Sequence, residues 1–414
     1  MGTAERADVV VIGAGISGCA SAWHLLHRDP SLRVVLLESH QVGAGSTSRS
    51  NAAFRHQWSV PVHAAFSRYS AAEYADLAGR GHPVGFTPNG YLFLFTEEEA
   101  FQQAAERARR QRQSGMEGIR ALRPEQVPDE VPGGDLLELE GLAGAVWGLR
   151  DGFLDPMGVT QAYLEEGRAA GLDYRQGVRA VSLVREGGRV TGVVTGEGST
   201  VAGSRVLLAA GVWSASLMRS WRLGLPVRPA KRYLYHTRPV RGREVSDWPL
   251  IVGERGAHLR PSEGNTLLLA WESRPDPEED VPNGGTLRDR QDAVEEGFGT
   301  GPEGYGMEVL AELAPHMPLL AEEAALAGVT SGWYCVTGDH KAILSADPRL
   351  EGLYHACGFS GHGIMHGAAT GRTMAELVLG EPTSLARFEE IRRHFGLQPL
   401  LEGKTREPGE DVVI

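Results

Sequence analysis

Residues 9–38 restrict the fold of this chain more than any other stretch. Val9-Val10-Val11-Ile12 is an apolar, β-branched run, which reads as a strand buried on both faces. It passes directly into Gly13-Ala14-Gly15-Ile16-Ser17-Gly18, a G-x-G-x-x-G. Ile16, Ala20, Trp23 and Leu26 then follow at helical spacing until Pro30, which cannot continue a helix. A second apolar strand, Val34-Val35-Leu36-Leu37, ends in Glu38. Gly13 supplies the tight turn, Gly15 lets backbone N–H groups approach a pyrophosphate, and Gly18 lets helix and strand pack closely. The helix N-terminus adds partial positive charge for the phosphates. Glu38 stands near the offset of about 20 residues at which a carboxylate meets a ribose 2′-hydroxyl. Together these parts define a dinucleotide site, and the acid argues against the 2′-phosphate of NADP.

The chain has 414 residues, too many for one ordinary core, so two joined domains are expected. A formal net charge of −12 argues against nucleic acid or an anionic membrane as partner. Cys19, Cys335 and Cys357 are too few for a disulfide framework and suit a reducing compartment. No apolar run is long enough to span a membrane, and no basic-then-apolar leader precedes the first strand, so a cytoplasmic location is expected. His, Cys and Asp lack metal-ligand spacing, and no metal site is expected.

Directly after Glu38, residues 43–55 (GAGSTSRSNAAFR) are small, hydroxyl-rich and cationic. Such composition usually marks a solvated loop, but here it is placed to hydrogen-bond phosphates and a ring system. A helix over Pro61–Ala78, a strand over Tyr91–Phe95 and a helix opened by Thr96-Glu97-Glu98-Glu99 follow. Arg107, Arg109, Arg110 and Arg112 in its last turns complement the helix dipole and read as a solvated face rather than an RNA surface. Residues 121–150 read as loops with short strands. Next come a helix over Met157–Ala170 and two strands, Val178–Val184 and Val190–Thr195, turning at Gly187-Gly188. The strand Arg205–Ala210 enters Gly211-Val212-Trp213. Strands and turns alternate over 226–275, Pro275–Gly285 reads as an acidic surface loop, and a helix near Tyr305–Leu320 is interrupted by Pro315 and Pro318. Finally a strand, Gly352–Cys357, leads into Gly358-Phe359-Ser360-Gly361-His362-Gly363-Ile364-Met365 and a helix ending at Gly380. Two glycine-rich strand-to-helix junctions so far apart imply one dinucleotide fold assembled from distant segments, with the middle of the chain inserted as a second domain.

At VVVIGAGISG, LLES, GAGSTSRSNAAFRHQWS, LLAAGVWS, GWYCVTGDHKAIL and GFSGHGIMHGAATGRTMAEL the chain resembles the D-amino-acid-oxidase-like FAD oxidoreductases. The resemblance is strongest to the branch of sarcosine oxidase β-subunits, proline dehydrogenases and monomeric sarcosine oxidases, and the motifs span nearly the whole chain in the family's order. It implies an α/β fold: a Rossmann-type FAD-binding domain assembled from residues 1–80, 152–222 and 329–395. It also implies an α+β substrate domain with a large mixed sheet from residues 81–151 and 223–328, and a tail from 396 to 414. On the adenosine side it places Gly13, Gly15, Ile16, Ser17, Glu38 and Ser39, and along the middle of FAD Ser46, Thr47, Ser50, Asn51 and Ala52. Ala180, Val181, Ala210, Gly211, Trp213 and Gly338, with Gly358, Gly361, His362, Gly363 and Ile364 on the flavin side, complete the implied cofactor set. A helix N-terminus at the flavin's pyrimidine end would stabilise negative charge on the reduced ring by about 0.3–2 kcal/mol.

The activity implied is oxidation of a C–N bond in a small secondary or primary amine or amino acid, of sarcosine, glycine or proline type, by hydride transfer to flavin. Oxygen or another acceptor would then take the electrons. An amino-acid carboxylate needs a cation, for which Arg55 matches the family's arginine and Arg260 is second. Tyr334 matches a substrate-site tyrosine, His362 a flavin contact, and His340 reads as structural. Departures matter as well. Met365 replaces a carboxylate-binding lysine, and Gly332 stands where monomeric sarcosine oxidases carry the cysteine that tethers FAD. Cys335 then reads as a buried core thiol, FAD as non-covalent, and Leu268, where those oxidases have an oxygen-activating lysine, as a sign of slow reaction with oxygen. These losses keep open a flavoprotein subunit or assembly factor dependent on a partner. An NAD-dependent dehydrogenase is disfavoured by the second glycine junction.

Overall fold

The computed structural model describes residues 5–271 and 303–407; the Pro275–Gly285 loop lies outside the described residues. Among these, two large sheets dominate. The first has six strands in the order Ile343–Ala346, Leu353–Cys357, Val206–Leu208, Val9–Ile12, Val34–Glu38 and Asp173–Gln176. All its pairs are parallel except that of the two strands at the Ile343–Ala346 edge. Val9–Ile12 is buried along its whole length, as a central parallel strand covered on both faces requires. The helix Ile16–Arg28 covers one face together with the helix Gly367–Leu379. They approach closely because both contact positions on the second helix are glycine: a Cβ at Gly367 would lie 2.5 Å from Ile16, and one at Gly371 2.6 Å from Ala20. So the two distant glycine-rich junctions do meet in one sheet, which joins strands from residue 9 to residue 357.

The second sheet has eight strands: Leu326–Val336, Arg228–Thr237, Thr266–Trp271, Ala257–Ser262, Leu250–Val252, Tyr91–Phe95, Gly144–Gly148 and Ile119–Leu122. It is mixed, with Leu250–Val252 and Tyr91–Phe95 parallel and its other pairs antiparallel. Its own core includes Leu92, Leu259, Leu269, Trp248 and Val309. A Rossmann-type domain and a mixed-sheet domain are therefore both present.

Three elements differ from the reading of the sequence. Asp173–Gln176 (DYRQ) has no apolar run, yet it forms the edge of the parallel sheet beside Val34–Glu38. The helix near 305–320 is two helices, Glu303–Leu313 and Pro318–Glu323, and Pro318 opens the second from its first turn, where a missing N–H costs nothing. Residues 396–407, read as a tail, pack back: Leu397 and Arg406 are buried, and Arg406 bonds Asp339 and the carbonyls of Lys341 and Ala342.

Candidate functional site

A cavity of 870 Å³ opens over the C-terminal ends of the parallel strands, where open α/β sheets bind ligands. Gly13 adopts φ +100°, and a Cβ there would lie 2.6 Å from the Ala209 carbonyl oxygen. A Cβ at Gly18 would sit 1.9 Å from the Gly13 oxygen, so neither position admits a side chain. Glu38 braces this turn: Oε2 accepts from the Ala14 N–H at 2.8 Å and Oε1 from the His40 N–H at 2.8 Å. Thr47 Oγ1 accepts from the Ile16 N–H at the start of the helix (3.2 Å), tying the hydroxyl-rich loop to it. Ser46 Oγ donates to the Trp333 carbonyl at 2.5 Å, which joins that loop to the long strand of the second sheet.

Near this turn the wall carries Gly13, Gly15, Ile16, Ser17, Glu38 and Ser39, followed by Ser46, Thr47 and Ser50. Ala180, Val181, Ala210, Gly211 and Trp213 form a second side, and Tyr334, Gly361, Gly363 and Ile364 close the far end. Gly361 has φ +99°, and a Cβ there would meet the Tyr334 ring at 2.7 Å. The Tyr74 hydroxyl donates to the Ile364 carbonyl at 2.7 Å and fixes this loop from behind.

Other expected residues stand behind the wall. Asn51 gives its carbonyl and Oδ1 to Arg260 Nε (2.6 and 3.1 Å), and Ala52, buried at φ +54°, turns the chain away into the Ala53–Phe54 strand. Gly338 lies in an exposed turn, and Gly358 packs on Thr337. His362 turns its ring against Trp58, 5.0 Å between centroids, and burial holds it neutral. Arg55 is 3% exposed, with its guanidinium 4.5 Å over the Trp58 ring, on the side of His362. His340, read as structural, is exposed at φ +56°. Cys335 is buried as expected, but it also lines the cavity, with Sγ 3.4 Å from the Gly211 carbonyl.

At the far end, strand register assembles a group of side chains that no local motif signals. Tyr334 pairs with Ala230, so Arg232 and His236, two and six residues further on, share its face. His236 pairs with Leu268 and Leu268 with Arg260, which extends that face across four strands. Arg232 lies 5.4 Å over the Tyr334 ring, and His236 bonds Thr330 at 2.8 Å. Burial pulls Arg260 down to about 10. Among the described residues no His, Cys, Asp and Glu group has metal-binding proximity.

Fold and cavity define a nucleotide-binding protein of Rossmann type, with Tyr334 of the mixed sheet among the residues that line the cavity. The match is explicit: residues 8–377 fit the DAO family, described as FAD dependent oxidoreductase, and the chain belongs to it. FAD is its cofactor. The chain is 28% identical to FAD-dependent oxidoreductase domain-containing protein 1 of Xenopus laevis, across 96% of this chain and 84% of that protein. It is 26% identical to sarcosine oxidase subunit beta of Rhodobacter capsulatus, across 97% and 90%. L-Proline dehydrogenase from P. horikoshii superposes with a TM-score of 0.83 at 22% identity, covering 98% of this chain and 100% of that one. No helix among the described residues is long and apolar enough to cross a membrane.

Proposed function

We propose that this protein oxidises the C–N bond of a small secondary or primary amine or amino acid to an imine. The observation that carries the reading is the sheet face at the cavity's far end, where Tyr334 stands beside Arg232. An aromatic wall with a guanidinium suits a small apolar amine that bears a carboxylate. Relatives named sarcosine oxidase subunit beta, glycine oxidase and 4-methylaminobutanoate oxidase support the substrate class.

FAD, when bound, accepts the hydride. Glu38 would hold the adenosine ribose, the Gly13–Gly18 turn the pyrophosphate, and the Gly361–Ile364 loop the flavin; Arg55 and Arg260 act from behind the wall. For the domains the motifs suggest 1–80, 152–222 and 329–395 for FAD and 81–151 and 223–328 for substrate, but the strand Leu326–Val336 pairs along its length with Arg228–Thr237, so residues 329–336 go with the mixed sheet. FAD is held without a covalent bond in this reading, since Gly332, at the position of the tethering cysteine, has no side chain to form one. A second reading, a subunit that needs a partner for turnover, is favoured by buried Met365 and Leu268 at positions that carry lysine in monomeric sarcosine oxidases.

The test is anaerobic bleaching of the purified yellow protein by sarcosine, glycine, L-proline and simple N-methyl amines. Bleaching by at least one is expected. A flavin that none of them reduces sinks the amine reading, and flavin that stays with acid-precipitated protein sinks the non-covalent one.

A further inference from the structure

The inner face of the mixed sheet continues past Tyr334, and its composition is not that of a packed interior. Tyr334 lines the cavity, and the Arg232 guanidinium lies 5.4 Å over its ring. Leu234 and His236 follow Arg232 on the same strand at two-residue steps, so they share its face. Strand pairing sets Leu268 beside His236 and Arg260 beside Leu268. Two leucines therefore lie between nitrogen donors, with Arg232 at one end and His236 and Arg260 at the other. At about 3.3 Å per residue, Arg232 and His236 leave the strand about 13 Å apart. Leu234 and Leu268 are 9% and 7% exposed, yet neither joins the apolar cores to which Leu267, Leu269 and Leu250 belong.

Arg260 sets the character of the far end. It is 7% exposed, and its guanidinium lies 4.8 Å over the Phe153 ring. Nε donates to the Asn51 carbonyl and Oδ1, Nη1 to the Pro261 carbonyl, and Nη2 to no described residue. All of these acceptors are neutral. Among the described residues no carboxylate is within ion-pair reach of Arg260 or His236. Burial pulls Arg260 down, against a weaker opposing pull from Tyr91 and Asp155, and burial followed by Arg260 lowers His236. A desolvated charge without a counter-charge is costly. Holding Asn51 alone would need only a neutral amide, which carries no such cost. The arrangement becomes favourable when a bound anion supplies the missing charge, and the planar fork of a guanidinium fits a carboxylate.

Taking the amine reading above as given, we propose that the substrate is an amine with two carboxylates, one beside the amine at Tyr334 and Arg232, the other at the end of a short carbon chain at Arg260 and His236. Leu234 and Leu268 supply an apolar floor for the methylene groups between the two acids. The second carboxylate is remote from the C–N bond, so Arg260 and His236 touch no reacting atom. They select the substrate and orient it, and the binding energy of the remote group serves to position the bond that reacts.

The test has two arms on the flavin-loaded protein. In the first, isothermal calorimetry measures acids that cannot be oxidised: propionate and butyrate against glutarate, adipate and pimelate. At least one dicarboxylate should bind about tenfold or more tightly than the better monocarboxylate, as one further charge-assisted contact implies. Arg260→Gln and His236→Gln should each reduce that ratio. A ratio near one in the wild type, or a ratio that survives in both variants, overturns the proposal. An arginine that only braced the fold would weaken both kinds of acid alike and leave the ratio standing. Inorganic phosphate is titrated beside them; phosphate binding that Arg260→Gln abolishes, with no preference for dicarboxylates, would give the place to a free anion and overturn the substrate class. In the second arm, anaerobic reduction by N-methyl-L-aspartate and N-methyl-L-glutamate is compared with reduction by sarcosine. Half-saturation should fall at least about tenfold for the better of the two, and equal values overturn the proposal. If no amine reduces the flavin, the amine reading falls by itself, and calorimetry still decides whether the face takes two carboxylates. If Arg260→Gln does not fold, His236→Gln, a change at a half-buried ring, carries the same comparison.

Discussion

The two large sheets differ in what they tolerate. The central strands of the parallel sheet, Val9–Ile12 and Val206–Leu208, are buried along their whole length, and its glycine turn is so close that one methyl group at Gly18 would lie 1.9 Å from a carbonyl oxygen. The inner face of the mixed sheet instead carries Arg232, His236 and Arg260, and a methyl at Gly332 meets Arg49 at 3.0 Å. One region is a frame with almost no freedom of sequence. The other is a face on which side chains can change what is recognised while the strands stay where they are.

The largest contrast should appear on acidification. His24, His63, His362 and His366 flank the parallel sheet, and burial holds all four well below the ordinary histidine value, His24 to about 3. Their folded values lie below the unfolded value of about 6.5, so the unfolded chain takes up protons that the folded chain refuses. Stability from this source is complete above about pH 6.5. It falls on acidification through the folded values, by up to about 1.4 kcal/mol per pH unit for each ring. Urea unfolding at pH 7, 6 and 5 checks this. A flat stability across that range would mean that the rings are solvated and the frame is less closed than described.

Next in size, Gly18→Ala should cost about 3 kcal/mol or more and lose flavin, while Gly332→Ala should cost about 1 kcal/mol and keep it. Melting temperature and flavin absorbance of the two purified variants measure the difference. Equal losses would erase the distinction between frame and face. The smallest effect is expected at the seam. Arg260→Met removes the bonds to Asn51 that link the mixed sheet to the hydroxyl-rich loop, for about 1–2 kcal/mol with flavin retained. A variant that melts like the wild type would show the seam to be held elsewhere.

How much could be read from sequence follows the same division. Residues 9–38 were legible because strand, turn, helix and strand are consecutive and each carries its own local signal. The edge strand Asp173–Gln176 was not, since its partner Val34–Glu38 supplies the order that DYRQ lacks. At the site, the glycines and hydroxyls of the cavity wall were legible as motifs. The neighbours of Tyr334 were not: Arg232 stands beside it only through strand pairing across about a hundred residues, which no spacing reveals. Arg55 was legible as a cation near the loop, but the Trp58 ring that takes its guanidinium is a matter of packing. The rings of His63, His362, His366 and His394 likewise meet only through packing, each unremarkable in its own segment.

The strand order of the parallel sheet also sets a timetable for making the protein. Leu353–Cys357 inserts between Val206–Leu208 and Ile343–Ala346, so the frame begun at residue 9 stays open until residue 357 has been made. At about 5–20 residues per second, the first strand and its glycine turn wait on the order of tens of seconds on the ribosome for their sheet to be finished. During that interval the apolar Val206–Leu208 strand has no partner on its outer edge. A nascent chain of this kind depends on something to shield that edge, which makes chaperone capture during synthesis a property of the topology rather than of any one residue.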